Sequence, residues 1–473
     1  MTTLETDVLI VGSGAGGATT AMMLAEAGRR VTVAEEGPWV DPGEVEPFSL
    51  AEMVRKYRHQ GSSAALGAPP VAYAEGRCVG GSTEINSGLW HRLPGWLTEE
   101  WRARDDIDAF GPDVLDHYAA LVEGWMSVSL VPGAPPVSSA VLERGAAKLG
   151  WRAVEFPRVF RYDTLERGVK QTMARTLIPR AVAAGASVIA DCRVLRLLTA
   201  GRLVVGARCS RMLPDGTRER VDIRAGTTFV CGGAIHTPAL LQRSGIRGRV
   251  GHNLKLHPTI KIAARFPHPV DHGEIPMHRI SEFAPNLTIG GSASRPGHIA
   301  LAVADAGADV AAAMADWEHV AVYYAAIRSD AGGRVVAVPG VASPLVTYRL
   351  TDGDMSRLAR GLVHLGELLL AAGATELWPS IDGAGSAHTL ADLAPWWGAV
   401  DRTRANLMTV HLTSTVRMGE SSAAAADSFG TPRGWTGVQV NDASLLPDAP
   451  GVNPQAGVMT IAARNADAWL ARN

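Results

Sequence analysis

Asp7-Val8-Leu9-Ile10-Val11-Gly12-Ser13-Gly14-Ala15-Gly16-Gly17 decides how this chain begins to fold. Its first five residues are a short apolar run, the pattern of a strand buried on both faces in a parallel sheet. A glycine-rich turn follows at once. Residues 15–28 then read as a helix of small and apolar residues, with Gly28 as its stop. Arg30-Val31-Thr32-Val33-Ala34 is a second strand, ending in Glu35 and Glu36. Strand, turn, helix and strand within about 30 residues make one βαβ unit.

Gly12, Gly14 and Gly17 satisfy G-x-G-x-x-G. The first allows a tight turn off the strand, the second lets backbone approach a pyrophosphate, and the third lets helix and strand pack closely. Ala15 opens the helix, whose free N–H groups and positive dipole end suit phosphate. Glu35 lies 18 positions after Gly17, where a carboxylate takes ribose hydroxyls. An acid there disfavours a 2′-phosphate and hence NADP; FAD and NAD both stay open on this motif.

The rest of the chain sets the bounds. It has 473 residues, enough for two or three domains and a sizeable core. With 47% hydrophobic residues it is not intrinsically disordered, and its 51 glycines have no collagen-like period. A net charge of −2 gives no basic field for nucleic acid. Cys78, Cys192, Cys209 and Cys231 show no metal-ligand spacing and fit a reducing cytoplasm. No metal site is expected. The N-terminus lacks the positive region of a signal peptide, and no window offers about 20 uninterrupted apolar residues. The expectation is a cytoplasmic protein without an integral membrane segment.

Further along, a helical stretch is expected near 170–184 and a strand near 186–198. A hairpin, 202–212 and 217–224, flanks Pro214-Asp215-Gly216. Residues 227–231 read as a separate apolar strand, 436–440 as another, and 456–471 as an Ala-rich helix.

Gly76-Arg77-Cys78-Val79-Gly80-Gly81-Ser82-Thr83-Glu84-Ile85-Asn86 suits a backbone laid along a flat or phosphorylated ligand. Beside the first motif it resembles the GR-x-x-GGSS-x-IN stretch of the glucose-methanol-choline (GMC) oxidoreductases, which are flavoproteins. Phe229 to Leu241 with Ser244-Gly245-Ile246 resembles that family's second signature. Val250 to Leu254 with His257-Pro258 resembles G-x-N-L-x-x-H-P, and His411 to Gly419 resembles H-x-x-G-T-x-R-M-G. Asn441-Asp442-Ala443-Ser444 and Asn453-Pro454 resemble the closing D-A-S and N-P motifs. Six blocks thus fall in family order. Ser414 departs from the pattern, standing where Gly is usual, which suggests a tighter backbone; Val416 replaces a frequent Cys.

The resemblance implies an α/β fold: a Rossmann-like FAD-binding domain from residues 1–90, 171–258 and 431–473. An α+β substrate-binding domain on an antiparallel sheet would take 91–170 and 259–430. It implies FAD held by Gly12, Gly14, Ala15, Gly17, Glu35, Arg77, Gly80, Gly81, Ser82, Asn86, the Val194 backbone, Asp442, Ala443, Pro454 and Gln455. Some members attach FAD through a His shortly before the GR segment; Tyr73 stands nearest that place, implying non-covalent FAD.

Alcohol oxidation needs a base, a partner for the oxygen and a hydride acceptor. FAD would be the acceptor. His411 is the base, since a neutral imidazole takes a proton near neutral pH, and Asn453 orients the alkoxide with an uncharged amide. His257 reads as structural, and His91 and His236 have no better claim. The expected partners are a small-molecule alcohol and O₂ or another electron acceptor. Rival readings on the same scaffold are a cholesterol-oxidase-like oxidation and isomerisation or a desaturation, with Glu282 as the extra carboxylate, and a non-redox hydroxynitrile lyase.

Overall fold

The computed structural model describes residues 2–41, 43–162, 168–270 and 277–473. The opening unit forms β1 (Thr2–Val11), α1 (Ala15–Glu26) and β2 (Val31–Ala34). β1 and β2 pair in parallel from Val8 opposite Val31 to Val11 opposite Ala34. Val8, Leu9 and Ile10 have no solvent exposure, as a strand covered on both faces requires. α1 ends at Glu26, and Gly28 takes the left-handed conformation just beyond it.

Seven strands make this sheet. In spatial order they are Cys192–Ala200, Leu203–Met212, Arg218–Val230, β1, β2 and Ser187–Ile189, with Val438–Val440 paired to the end of Arg218–Val230. The two strands expected at 217–224 and 227–231 are one strand of 13 residues. Its parallel ladder with β1, from Thr2 opposite Val221 to Val11 opposite Val230, carries it through Gly226. The strand expected near 186–198 is instead two, and the helix near 170–184 shrinks to Leu177–Ala183. Asp191 marks the strand break, with a positive φ of 53°. The final helix, Gln455–Leu470, packs on α1.

The second sheet has nine strands. Its main path is Ser63–Ala65, Val71–Tyr73, Leu407–Thr409, Thr259–Arg265, Val320–Ile327, Leu287–Gly291, His278–Ile280 and Ala153–Glu155. All its pairings are antiparallel except Leu407–Thr409 with Val71–Tyr73. One face, with Ile260, Ile262, Ile289 and Ala325, shares a core with the helix Asp352–Ala371. That helix starts on a capping box of Thr351 and Asp354. It buries Leu358, Leu362, Leu365 and Leu369 completely, each worth about 1.5–3 kcal/mol. The opposite face carries Lys261, Tyr324, Gly290 and Arg279 in one cross-strand row.

Candidate active site

Three distant stretches close on the end of β1. Gly12 turns with φ +98°, and a Cβ there would stand 2.5 Å from the Cys231 carbonyl oxygen. A Cβ on Gly17 would lie 2.0 Å from the Gly12 oxygen, and one on Gly16 2.0 Å from the Asn441 oxygen. The Asn441-Asp442 backbone is therefore pressed onto the first turn of α1. Gly81 faces Gly14, where its added Cβ would come 2.9 Å from the Gly14 Cα. Gly14 itself is different: a Cβ there meets nothing closer than 3.9 Å. Protein packing does not demand that glycine, and the open side of the turn has room for a ligand lying along it.

Two helices start at this place, α1 and Gln455–Leu470. Neither has a side-chain cap or an acidic residue in its first turn, and both begin among buried residues. Free N–H donors at a buried helix start need a partner. A pyrophosphate on one and a carbonyl edge of a flavin on the other would satisfy them. These residues fit FAD.

Glu35 is 7% exposed; its carboxylate accepts from the Ser13 N–H at 3.0 Å, the Ser13 hydroxyl at 2.7 Å and the Gly37 N–H at 2.8 Å. Burial nevertheless raises its pKa. The Gly80 N–H donates to the Ser13 hydroxyl at 3.0 Å, joining the GR segment to the same turn. Asn86 donates to the Gln455 side chain at 2.6 Å, which ties that segment to the last helix. The Ser82 hydroxyl accepts from the Gly76 N–H at 2.9 Å. Arg77 is half-exposed, its Nε 3.7 Å from Glu36. Val194 is buried beside a bulge in its strand.

Asp442 was expected near the pyrophosphate and ribityl chain. Its carboxylate is occupied within the protein, by the Gly233 N–H, the Thr237 hydroxyl and both donors of Ser444. Only its backbone stands at the turn, with its Cα 3.1 Å from the added Gly16 Cβ. Ala443 accepts from the Ser414 N–H, linking the D-A-S block to the His411 block.

His411 lies next to the pairing of Leu412–Thr413 with His252–Leu256, where Thr413 is opposite Lys255 and Leu412 opposite Leu256. One step further, that register sets His411 opposite His257. Their Nδ1 atoms are 2.9 Å apart and their ring planes perpendicular. The Gly451 N–H donates to His257 Nε2 at 3.0 Å, two residues before Asn453. The Asn453 side chain makes no hydrogen bond among the described residues, leaving its amide for a ligand. Burial lowers the His411 pKa to about 4 and puts that of His257 well below the usual range, helped there by His411 and Arg328. Both rings are neutral near pH 7.

His91 is 8% exposed, and neither ring nitrogen has a hydrogen-bond partner. Burial, then Arg279 and His411, lower its pKa to about 3. The Arg279 Nε is also buried without a partner. Glu282 is exposed and accepts from the Arg152 N–H, so it is not a carboxylate enclosed with these groups. Trp90 and Trp396 are packing residues, 1% and 2% exposed.

Sequence reasoning missed three residues here. Gly16 is no motif position, yet it is among the most crowded glycines. Lys170 is buried and donates to the Glu84 and Asn86 carbonyls, holding the GR segment from below; burial lowers its pKa to about 8. His257 bonds directly to His411. Only His257 carried a signal, its place in a motif block. A cavity of about 1050 Å³ lined by Arg193, Arg196, Arg243 and Val338 contains none of the histidines at the site. No group of residues suited to a metal ion occurs among the described residues, and none of their helices is long and apolar enough to cross a membrane. All four cysteines are free and buried.

The comparisons agree with one another. The N-terminal GMC oxidoreductase model matches residues 6–259 and the C-terminal one 338–462. An uncharacterised GMC-type oxidoreductase of Sinorhizobium fredii is 39% identical across 99% of this chain and 95% of its own. A long-chain-alcohol oxidase of Arabidopsis thaliana is 26% identical across 97% of this chain and 66% of its own. The solved structure of pyridoxine 4-oxidase from Mesorbium loti, 19% identical, shares the fold with a TM-score of 0.74 over 99% of this chain and all of that one. Matched by the family's two models over most of its length and by a relative end to end, the chain belongs to the GMC oxidoreductases, FAD-dependent flavoproteins.

Proposed function

We propose that the protein oxidises the CH–OH group of a small-molecule alcohol to an aldehyde or ketone, with non-covalently held FAD. One observation carries this reading. The His411 imidazole is neutral and tied through His257 to the loop bearing Asn453, immediately before the uncapped helix at Gln455. Bound FAD supplies the acceptor for the hydride that leaves the alcohol carbon. His411 handles the hydroxyl proton, and Asn453 holds the oxygen without adding charge.

The cofactor would be held by the turn Gly12, Gly14, Ala15 and Gly17 with Glu35, by Arg77, Gly80, Gly81, Ser82 and Asn86, and by Val194. The Asp442-Ala443 backbone, Pro454 and Gln455 complete the set. We assign residues 1–90, 171–258 and 431–473 chiefly to the cofactor and 91–170 and 259–430 chiefly to the substrate. Tyr73, 7% exposed in a strand, stands where a covalent His would be needed. The unpartnered nitrogens of His91 and Arg279 favour an alcohol with a second polar group over a plain alkyl chain, because buried polar atoms left unpaired cost about 1–3 kcal/mol each. The exposed position of Glu282 removes support from isomerisation. We place the enzyme in the cytoplasm, with O₂ or another acceptor reoxidising it.

The test is anaerobic mixing of the yellow protein with simple alcohols, polyols, sugars, sterols and long-chain alcohols, followed by air. Bleaching by an alcohol, with FAD released intact by acid, is the expected result. Flavin that no alcohol bleaches, or that stays on the denatured chain, defeats the corresponding part. The speed of colour return separates oxidase from dehydrogenase.

A further inference from the structure

The two histidines can be read for more than proximity, because a backbone N–H can only donate. The Gly451 N–H, 3.0 Å from His257 Nε2, claims the lone pair of that nitrogen. A neutral His257 must then carry its proton on Nδ1. That proton points at His411 Nδ1, 2.9 Å away, which must accept it. A neutral His411 therefore carries its own proton on Nε2. The reverse assignment, with His411 donating from Nδ1, would leave His257 accepting at both nitrogens, which only an imidazolate can do.

Charge does not upset this. His257 is 5% exposed, and among the described residues its pKa is shifted by burial, the second imidazole and the cation of Arg328, with no carboxylate raising it. Among the described residues both rings are kept neutral, His411 by burial and His257 by burial with those neighbours.

We propose that His257 is a positioning residue: directed by the Gly451 N–H, it fixes resting His411 as the Nε2–H tautomer. His411 therefore meets the alcohol oxygen as a hydrogen-bond donor. It reaches its proton-accepting form only when the His257–Gly451 contact opens. In that switch the His257 Nδ1 proton crosses to His411 Nδ1, and a water molecule carries the His411 Nε2 proton to His257 Nε2. The pair gains and loses no proton. The base is thus made during the cycle rather than present at rest, and the loop holding Asn453 controls the change.

This deepens the alcohol-oxidation reading and rests on it for the meaning of the donor, but its test does not depend on turnover. The holoenzyme is prepared with ¹⁵N-labelled histidine, and long-range proton–nitrogen spectra are recorded near pH 7. Signals of the pair are assigned from the His411→Asn and His257→Gln variants. The expected spectrum shows His411 protonated at Nε2 and unprotonated at Nδ1, with His257 the opposite. Gln at 257 can accept from Gly451 through its oxygen and donate to His411 through its amide, so His257→Gln should keep the His411 tautomer. His257→Leu supplies no donor and should release it, with KM for the alcohol rising at least tenfold more than in His257→Gln. A wild-type spectrum with His411 protonated at Nδ1 overturns the proposal even if alcohols bleach the flavin. The expected spectrum in a protein that no alcohol bleaches supports the tautomer and defeats the function instead. Equal KM changes in the Gln and Leu variants count against His257 as the positioning group.

Discussion

Gly16→Ala tests the cofactor seat outside the three motif glycines, at the contact between α1 and the Asn441-Asp442 backbone, and its consequences can be worked from distances. The added methyl would sit 2.0 Å from the Asn441 oxygen, 3.0 Å from its carbonyl carbon and 3.1 Å from the Asp442 Cα. Ordinary contact begins near 3.4 Å, so one backbone must retreat by about 1.4 Å. Asn441 cannot yield easily. Its N–H donates to Val230, its amide to Thr20 at 2.8 Å and Ala462 at 3.1 Å, and it accepts from Asn465 at 3.0 Å. Overpacking costs about 1–3 kcal/mol, and two strained hydrogen bonds add about 1–3 more. The expected loss is thus roughly 2–6 kcal/mol, centred where α1 meets the D-A-S block. Gly28→Ala is the control: nothing lies within 4 Å of its added Cβ, so only left-handed backbone strain of about 1–2 kcal/mol applies. Flavin absorbance per protein and the urea midpoint are measured for both. Gly16→Ala should lose most of its flavin and the larger share of stability. Equal behaviour of the two variants would refute the closed seat.

His411→Ala should keep its flavin yet slow alcohol-driven bleaching by about 10²–10⁴-fold in stopped flow; bleaching at the wild-type rate places proton handling elsewhere. Lys170→Met removes the donor from the Glu84 and Asn86 carbonyls, and dialysis should strip flavin from it faster than from wild type. Acid should destabilise the protein steeply. His91, His257 and His411 have folded pKa values below the unfolded value near 6.5, so the unfolded chain binds protons that the folded chain refuses. Stability is therefore complete above about pH 6.5 and falls towards pH 4, by about 1.4 kcal/mol per pH unit for each histidine. Urea midpoints between about pH 7 and pH 5 read this slope, which His91→Asn should reduce; a flat profile refutes the buried neutral set.

Much of the fold was legible because it rests on local pattern. Asp7 to Val11 could only be a covered strand, and the glycines after it specify a turn with a helix pressed close. The outer strands were less readable. Ala225 and Gly226 fell between two expected strands, whereas the parallel ladder with β1 carries one strand through them. Asp442 shows how little a motif says of which atoms face the seat. A carboxylate in a motif suggests a ligand, but Gly233, Thr237 and Ser444 reach it from elsewhere in the chain and occupy it fully. Ser414 was expected to tighten the backbone; instead it takes φ +75°, the region glycine favours, so the serine bears strain where the family has Gly.

His257 shows where single-motif reading stops. In isolation its HP block offers no partner, and structural was the natural reading. The missing information is a register. Once His252–Leu256 is seen to pair antiparallel with Leu412–Thr413, the positions in each pair sum to 668, and so do 257 and 411. Residues opposite one another in an antiparallel pair point to one face, within side-chain reach. Two blocks that each look self-contained are therefore one device, and moving either by a single residue would turn one imidazole to the other face of the sheet. For that reason an insertion of one Ala between His411 and Leu412 should slow bleaching as much as His411→Ala, while the same insertion in the Pro214–Gly216 turn should leave the rate unchanged.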